Sequence, residues 1–367
     1  MVNEAFYYLA LSMIPGLGAI QSKKLVAYCG GVEAVFSQNK RALLKIPGIG
    51  KHLAEQLIHH QVFGEAEREI RYCEERSIQL LAYSDTDFPR RLKQCVDSPL
   101  VLFVEGELDL NPPLAIAIVG TRRSTNNGKQ FIYKLLEELS RFKLQIISGM
   151  ALGIDAHAHR ASLLNGLPTV GVVAHPLHML YPSSHRKLRH AMLEKHSGLV
   201  SEYPSSCKLL PGNFPMRNRI VAGMSDATIV VESGEKGGAL ITADLANSYN
   251  RDVFAVPGRW IDTYSNGCNH LIKTHQAQLV ESASDLIHYM GWETQEEKKS
   301  SIQRVLAFDL DPEEQVLVDL IKDEDSMAVD MLRLKSGFSA GKLASTLLQL
   351  ELNGVIQVLP GDRYTLN

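Results

Sequence analysis

The feature that most constrains the fold is the alternation of short apolar, β-branched runs with helical patterns between about residues 75 and 290. Such runs are typical of strands buried on both faces, and strands that alternate with helices form a parallel, doubly wound sheet. We therefore predict an α/β core in which ligands bind beyond the carboxyl ends of the strands. Six runs carry the pattern: LAIAIVG, LQIISG, PTVGVVA, GLVSEY, DATIVVES and DVFAVPG.

The first of these strands ends in a turn that differs from a dinucleotide-binding turn. Gly120 follows the strand, but Arg122 stands where a dinucleotide fingerprint has its second glycine, and a second arginine, Arg123, follows it. The amides after Gly120, from Thr121 to Ser124, can form an anion-binding nest, and Arg122 can add a bidentate contact to a phosphate. The turn therefore predicts a phosphate site, and a pair of surface arginines is the alternative.

Other predicted strands also end in small residues, and one end leads into a glycine-rich stretch. Its glycines allow close backbone approach, and a helix that begins near Ala239 favours an anion at its N-terminus. The stretch lacks the GK[ST] sequence of a P-loop, and a turn required only for packing is the alternative. The phosphate-binding candidates at these ends are Ser148, Gly149, Ser233, Gly234, Lys236, Gly237 and Gly238.

The stretch NFPMRNRIVAG supplies an aromatic ring and two cations ahead of a predicted helix. A single strand of nucleic acid is held by stacking of its bases on aromatic rings and by cations near its phosphates. Phe214 is therefore a candidate for base stacking, and the candidates for contacts with the phosphate backbone are Arg217, Asn218 and Arg219. In an extended segment Arg217 and Arg219 point in opposite directions, so we expect one of them to meet the ligand. A buried loop anchor is the alternative role for Phe214.

The net charge of −3 conceals a gradient along the chain. Residues 1–111 hold 12 basic and 14 acidic side chains, and residues 291–367 hold 8 and 14. Residues 112–290 hold 18 basic and 13 acidic side chains, a net charge of +5, with 10 of the 13 histidines. Electrostatic attraction acts over about one Debye length, so the sign of a local face matters more than the total. We therefore expect an anionic ligand on the middle segment.

An internal repeat organises the N-terminal part. The sequence Ile-Pro-Gly-hydrophobic-Gly begins at Ile14 and again at Ile46, each time between amphipathic stretches that predict helices. The repeat resembles the helix-hairpin-helix motif, in which a glycine hairpin presents backbone amides to a DNA phosphate. Lys23, Lys24 and Lys51 could add charge there. A pair of structural helical hairpins without DNA contact is the alternative.

The C-terminal part follows a polar, charged stretch that is typical of a linker. Three predicted helices precede a hairpin closed by Pro360-Gly361-Asp362, an order that indicates a winged-helix domain. Residues 291–367 have a net charge of −6, and the predicted recognition helix offers only Lys342 as a cation. A DNA-binding wing would need a basic helix, so we expect a protein-contact or regulatory role, with duplex-DNA binding as the alternative.

The sequence closely resembles the DNA-processing protein A (Smf) family over most of residues 115–275. Arg122 matches the arginine of the family's glycine-serine-arginine motif, whereas Leu152 stands where many members carry a basic residue. The matching stretches are IVGTRRST, IISGMALGIDAHAHRASL, YPSSHRKL, SEYPSSCKLLPGNFPMRNRIVAGMSDATIVVESGEKGGALITADLA, RDVFAVPG and GCNHLIK.

The resemblance implies three domains: a helix-hairpin-helix domain over 1–70, an extended Rossmann-like DNA-binding domain over 71–292 and a winged-helix-like domain over 311–367, after a linker over 293–310. It also implies a non-catalytic mediator that binds and protects single-stranded DNA during natural transformation. Such a protein loads a RecA-type recombinase, works beside single-strand-binding protein and forms a homodimer through its Rossmann-like domain.

An enzymatic alternative comes from the Rossmann-like nucleotide phosphoribohydrolases, which carry a catalytic glutamate in a PGGxGTxxE motif. The corresponding stretch here is EKGGALITAD, with Thr242 and Asp244 but no glutamate at that position. An aspartate is one methylene shorter, and its acid–base geometry would differ. We therefore expect no catalytic activity and no cofactor.

The remaining residue patterns predict a cytoplasmic protein without a metal. The five cysteines are scattered without metal-ligand spacing, which suits a reducing cytoplasm. His157 and His159 lie two residues apart and would point to opposite sides of a helix, so we expect structural roles, with Asp155 as a helix cap. No apolar run reaches the roughly 18–20 residues of a membrane span, and the N-terminus has no basic leader.

Overall fold

The computed structural model describes residues 4–292, 310–322, 327–359 and 363–366. The chain divides into two compact units, Met1–Leu286 and Ile287–Asn367. No helix of the described residues is long and apolar enough to cross a membrane.

Six helices form the N-terminal part of the first unit, and the two glycine hairpins lie at equivalent places in it. Gly16 and Gly48 have positive φ angles of 76° and 91°, and Gly18 and Gly50 cap the helices that follow. The helices are α1 Glu4–Ser12, α2 Ala19–Cys29, α3 Val32–Phe36, α4 Lys40–Leu43, α5 Lys51–Ile58 and α6 Val62–Glu75.

Lys23 of the first hairpin binds the protein itself. Its Nζ donates hydrogen bonds to the carbonyl oxygens of Cys95 and Val96, at 3.3 and 3.1 Å, and to Ser98 Oγ at 2.5 Å. Burial lowers the pKa of Lys23 to about 8. The ammonium group is therefore committed to an internal contact and is not presented to a phosphate.

A nine-stranded sheet forms the centre of the first unit, in the order β1-β2-β6-β5-β4-β3-β7-β8-β9. Strands β3 to β9 run parallel and confirm the predicted doubly wound core, and an antiparallel edge, β1 with β2 and β2 with β6, is added to it. The strands are β1 Gln79–Ala82, β2 Val101–Glu105, β3 Leu114–Val119, β4 Leu144–Ser148, β5 Thr169–Val172, β6 Gly198–Ser201, β7 Ala227–Val230, β8 Asp252–Ala255 and β9 Gln278–Leu279.

Helices cover both faces of the sheet. Ala117 and Val119 of β3 pack with residues of α11 and α12, whereas the alternate residues Ile116 and Ile118 are fully buried on the other face. The helices are α7 Arg90–Lys93, α8 Asn126–Leu139, α9 Ile154–Leu164, α10 Arg186–Leu193, α11 Asn213–Gly223, α12 Gly238–Ser248, α13 Asn266–Lys273 and α14 Ala283–Met290.

The strand order reverses between β3 and β7. From β3 the chain proceeds through β4 and β5 in one direction, and it returns to place β7 on the opposite side of β3. Val119 pairs with Val230, so the loops that follow these two strands leave the sheet side by side. Ligands of doubly wound sheets bind at such a switch point, because the adjacent loops diverge there and open a crevice.

One hydrophobic cluster joins the N-terminal helices to the edge of the sheet. Leu9 and Leu57 of the helices share this cluster with Ala82, Phe103 and Leu199 of the strands. The helices and the sheet share this cluster within one compact unit, so the domain boundary expected between residues 70 and 71 stays a prediction.

From residue 310 onward, the described residues of the second unit form three helices and a three-stranded sheet in the order β10-β12-β11, which confirms the winged-helix prediction. The predicted linker at 293–310 lies outside the described residues except for Leu310, and so does the turn Pro360-Gly361-Asp362. The elements are α15 Pro312–Lys322, β10 Met327–Ala328, α16 Val329–Ser336, α17 Ala340–Leu352, β11 Ile356–Leu359 and β12 Arg363–Leu366.

A buried histidine makes the stability of the first unit depend on pH. His159 of α9 is fully buried, its Nδ1 lies 2.7 Å from Thr169 Oγ1, and its Nε2 has no partner among the described residues. Burial lowers the pKa of His159 from 6.5 to about 3. Between these values the unfolded chain binds more protons than the folded one, so stability is lost as the pH falls through this window.

His159→Leu removes this titration, and we expect its free energy of unfolding to fall less steeply from pH 6.5 to about 4 than that of the wild type. Urea unfolding followed by circular dichroism at several pH values measures the slope. Thr169→Val removes the same hydrogen bond but keeps the imidazole, so it should retain the wild-type slope. If the free energy of unfolding falls equally steeply with pH in His159→Leu and in the wild type, His159 is not the source of the pH dependence.

Candidate nucleic-acid interface

A cleft of 820 Å³ opens at the carboxyl edge of the sheet, beside the switch point between β3 and β7. The loops after β3, β4 and β7 and the first turns of α11 and α12 form its walls. It brings together most of the residues that the sequence singles out: Gly120, Thr121, Arg122, Arg123, Gly149, Phe214, Arg217, Asn218, Ser233, Gly234, Lys236, Gly237 and Gly238.

The carboxylate of Glu232 holds the loop after β3. Thr121 N donates to the Glu232 carbonyl oxygen at 2.8 Å, and Thr125 N donates to Oε2 at 2.9 Å. The Thr125 hydroxyl donates to Oε1, and a Cβ on Gly128 would lie 2.5 Å from the carboxylate carbon. Glu232 therefore fixes the start of α8 as well as the loop.

Arg122 stands on this loop as an exposed cation beside an aromatic ring. Its Cζ lies 5.8 Å from the centre of the Phe214 ring, within the range of a cation–π contact. The rings of Phe214 and Tyr181 meet edge to face with centroids 5.5 Å apart. Arg122 and Arg123 make no ion pair with any carboxylate of the described residues, so both charges remain available to an anion.

Arg217 forms the floor of the cleft and is 5% exposed. Its guanidinium donates to the carbonyl oxygens of Gly149 and Val172. Asp155 Oδ2 accepts hydrogen bonds from the amides of Gly149 and Ala151, both at 3.2 Å. Burial lowers the pKa of Arg217 and raises that of Asp155, and the charge of each opposes the shift in the other. This pair positions the loop after β4.

Asp155 differs from its predicted role as a helix cap. It lies in the first turn of α9, and Gly153 occupies the capping position. The carboxylate binds amides of the preceding loop instead, because Gly153, with a φ of 76°, turns the chain back over it.

Three predicted site residues lie outside the lining of the cleft: Arg219, Ser148 and Ser124. Arg219 is 7% exposed, pairs with Glu202 and donates to the Asp97 carbonyl oxygen at 2.7 Å. Ser148 is fully buried, and its hydroxyl donates to the Ile118 carbonyl oxygen at 2.6 Å.

The stretch from Asn213 to Gly223 is itself helix α11, whereas the sequence interpretation placed Phe214 and the two arginines ahead of a helix. Residues two apart on a helix point to nearly opposite sides. Arg217 therefore turns to the sheet edge at the cleft, and Arg219 turns away to Glu202. Of the two arginines only Arg217 lines the cleft, and its contact with a ligand stays a prediction.

The loop after β7 completes the cleft with small residues and a helix N-terminus. Helix α12 begins at Gly238 without a side-chain cap, so its first amides lie open at the cleft. A Cβ on Gly237 would lie 2.2 Å from Ser233 Oγ, so any other residue there would displace that hydroxyl. Lys236 is exposed on the same loop.

The charge of the lining is positive. The cations are Arg122, Arg123, Arg217 and Lys236, and Asp155 is the one carboxylate among the described lining residues. Leu152, at the position where a basic residue is expected, is 47% exposed and lines an adjoining cavity with Arg122. No group of three or more metal-ligating side chains occurs in the described part of the chain.

Sequence reasoning missed Glu232 and Tyr181 as parts of the site. Glu232 ends a predicted strand, and its position two residues before the glycine turn was a usable signal. Tyr181 lies far from the cleft residues in sequence and gave no signal, because only the tertiary fold brings it to Phe214.

Comparison with known proteins gives matches to two family profiles. Residues 79–291 match DNA recombination-mediator protein A, and residues 304–362 match the DprA winged helix domain. Protein Smf of Synechocystis sp. (strain PCC 6803) is 30% identical over 395 residues, 99% of this chain and 98% of that protein. DNA processing protein DprA of Bacillus subtilis (strain 168) is 39% identical over 227 residues, 62% of this chain and 76% of that protein.

Solved structures of the same family share the fold. DNA processing protein A (DprA) from Streptococcus pneumoniae matches with a TM-score of 0.65 and 30% identity, over 78% of this chain and 98% of that one. DNA processing protein A from Helicobacter pylori, whose structure concerns its single-stranded DNA binding mode, matches with a TM-score of 0.53 and 30% identity, over 58% of this chain and 95% of that one. The chain therefore belongs to the DNA recombination-mediator protein A family.

Proposed function

We propose that the cleft binds the backbone of single-stranded DNA and that the protein acts as a non-catalytic recombination mediator. The observation that carries this proposal is the exposed guanidinium of Arg122, which pairs with no carboxylate of the described residues and lies beside the Phe214 ring in a positively charged cleft. A cation and an aromatic face side by side are the two elements that hold a single strand without reading its sequence. The Helicobacter pylori relative, described by its single-stranded DNA binding mode, supports the same ligand.

The phosphates occupy the side of the cleft nearest the loops after β3 and β7. Arg122 and Arg123 reach them from the first loop, and Lys236 reaches them from the second. The open amides at the start of α12 add donors without a side chain. In the loop after Gly120, by contrast, the amides of Thr121 and Arg123 are bound to the Glu232 carbonyl oxygen and to the Thr121 hydroxyl. Arg217 contributes its positive potential from the floor, where its Nη1 is engaged with the carbonyl oxygens of Gly149 and Val172.

Phe214 provides the stacking surface. It is half-buried, lines the cleft and contacts Tyr181 along one edge. That support fixes the ring without covering it entirely, so the ring is available to a base. The alternative of a fully buried loop anchor therefore finds less support than stacking.

A second proposal concerns the partners, and it rests on family membership. The protein protects incoming single strands during natural transformation, loads a RecA-type recombinase onto them and works in the cytoplasm beside single-strand-binding protein. A homodimer formed through the Rossmann-like domain would place two clefts on one strand and raise the apparent affinity without any new contact.

The winged-helix unit is proposed as a protein-contact or regulatory domain. Lys342, the cation of its predicted recognition helix, forms an ion pair with Glu313 and lies 5.0 Å from the centre of the Phe338 ring. A duplex phosphate would have to compete with both contacts. Lys24 beside the first glycine hairpin and Lys51 at the second are both exposed, so DNA contact by the N-terminal helices is proposed through these two lysines and not through Lys23.

The positions of the carboxylates argue against nucleotide hydrolysis. Asp244 is exposed on α12 and is not among the cleft residues, and Asp155 is bound to two amides beside Arg217. Glu232 holds the loop after β3. None of these groups stands ready as a general acid or base beside a bound ligand.

Replacement of Arg122 tests the phosphate site. We expect Arg122→Ala to weaken binding of a labelled single-stranded oligonucleotide about tenfold or more, because a charge-assisted contact is lost. The slope of log affinity against log salt concentration should become shallower by about the value of one phosphate contact. The affinity of Arg122→Lys should lie between those of Arg122→Ala and the wild type. Fluorescence anisotropy across a salt series measures both quantities, with a duplex as comparison.

Arg141→Ala is the matched control, since Arg141 is exposed after the end of α8, at the opposite edge of the sheet. It should keep the wild-type affinity and slope. Equal salt-dependence slopes for Arg122→Ala and the wild type would contradict a contact between Arg122 and a phosphate. Absence of single-strand binding by the wild type at low salt would overturn the proposed function.

Replacement of Phe214 tests stacking separately from charge. We expect Phe214→Ala to lose about 1–3 kcal/mol of binding free energy while the salt slope stays unchanged, because no charge is removed. Phe214→Tyr should retain the affinity. Met216→Ala is the control, as Met216 is 55% exposed on the same helix but does not line the cleft. An unchanged affinity of Phe214→Ala for the oligonucleotide would contradict base stacking by Phe214 and would favour a structural role for its ring.

A further inference from the structure

A tight turn after β8 presents a tryptophan to solvent. Trp260 is 85% exposed, more than any other large hydrophobic side chain of the described residues, and its neighbour Ile261 is 69% exposed. Exposure of an indole forgoes the stabilisation that its burial would give. An aromatic side chain held in this way is more typical of a binding surface than of a loop that only connects two elements.

The turn is well fixed at both ends. The amide of Asp262 donates to the Arg259 carbonyl oxygen at 3.0 Å, which closes the turn around Trp260 and Ile261. Gly258 and Asn269 exchange two hydrogen bonds, of 3.2 Å from the Gly258 amide and 2.9 Å to its carbonyl oxygen. The backbone therefore sets the position of the indole, and binding at this point would require little additional ordering.

The same turn lies at the rim of the cleft. The Tyr264 carbonyl oxygen accepts a hydrogen bond from Ser233 N at 2.7 Å, and both residues line the cleft. A Cβ on Gly234 would lie 3.7 Å from the Thr263 carbonyl oxygen. Tyr264 follows Trp260 by four positions in the chain, so their Cα atoms are at most about 14 Å apart.

An exposed cation, Arg259, precedes Trp260 in the chain. Arg259 is exposed and forms no ion pair with a carboxylate of the described residues. Trp260 and Arg259, as neighbours in the chain, thus place an exposed ring and an exposed guanidinium on the same turn, the two kinds of group that Phe214 and Arg122 supply within the cleft.

We propose that Trp260 stacks on a base of the single strand where the strand leaves the cleft beside Ser233 and Gly234, with Arg259 against the adjoining phosphate. This inference rests on the proposed function, and it adds a second stacking position outside the cleft. One aromatic face is sufficient for one base. A stable protein interface needs roughly 1,000 Å² or more with a hydrophobic centre, and the turn offers only two apolar side chains among polar neighbours.

The chain offers a direct spectroscopic test, because it contains two tryptophans and Trp292 is only 8% exposed. In Trp292→Phe, Trp260 becomes the reporter. We expect its emission to be quenched by a dT oligonucleotide of about 20 nucleotides and to become less accessible to acrylamide. An oligonucleotide of about 5 nucleotides, near the lower limit of a single-strand site, should fill the cleft and change the emission much less.

Affinity measurements complete the test. Trp260→Ala should weaken binding of the long oligonucleotide about fivefold or more and leave the short one unaffected, whereas Trp260→Phe should restore most of the loss. Ile261→Ala, which changes the adjacent exposed side chain without removing an aromatic face, should match the wild type.

The outcomes separate this inference from the proposed function. If Arg122→Ala loses binding while Trp260→Ala binds the long oligonucleotide like the wild type and the Trp260 emission does not change, the inference is overturned and the proposed function stands. A changed oligomeric state of Trp260→Ala with unchanged DNA affinity would also overturn it, in favour of a contact between copies of the chain. A wild type that binds no oligonucleotide overturns both.

Discussion

The bonds from Glu232 to the loop after β3 connect the two halves of the sheet at the point where the candidate site lies. The pairing of β3 with β7 brings the ends of both strands together, and Glu232 then binds the amides of Thr121 and Thr125. Because these bonds fix the start of α8 and the path from Gly120 onward, the direction of Arg122 depends on them. The buried carboxylate is costly to replace, since its loss would leave the amide and the hydroxyl of Thr125 without their partner.

The arginines around the cleft divide into structural and available groups. Arg217 and Arg219 are buried on opposite sides of α11, where they satisfy carbonyl oxygens and Glu202. Arg122 and Arg123 are exposed and lack carboxylate partners among the described residues. Buried guanidinium groups hold the walls in position, and exposed ones supply the attraction for a polyanion. This division lets a single helix contribute rigidity while a neighbouring loop contributes charge.

The shape and the lining of the cleft are compatible with the proposed binding of a polymer. Its volume of 820 Å³ is bounded by glycine turns and helix N-termini, and the carboxylate within it is bound to amides. The resulting donors suit a phosphate chain, and the ring of Phe214 suits bases of any kind. Family membership and the geometry of the site thus support the same proposed activity through independent observations.

The sequence by itself determined the class of the fold and most members of the candidate site. The alternating apolar runs require strands buried on both faces, and the carboxyl ends of parallel strands must meet at one edge, so the pattern alone places Gly120, Gly149 and Ser233 together. The tertiary structure alone decided which side chains are free. Arg217, Arg219 and Lys23 are cations like Arg122 in the sequence, but each donates hydrogen bonds to carbonyl oxygens that come from distant segments. The spacing of apolar residues along the chain indicates whether a segment is a helix or a strand. The partner of a charged side chain, however, depends on which distant segments the fold brings to it.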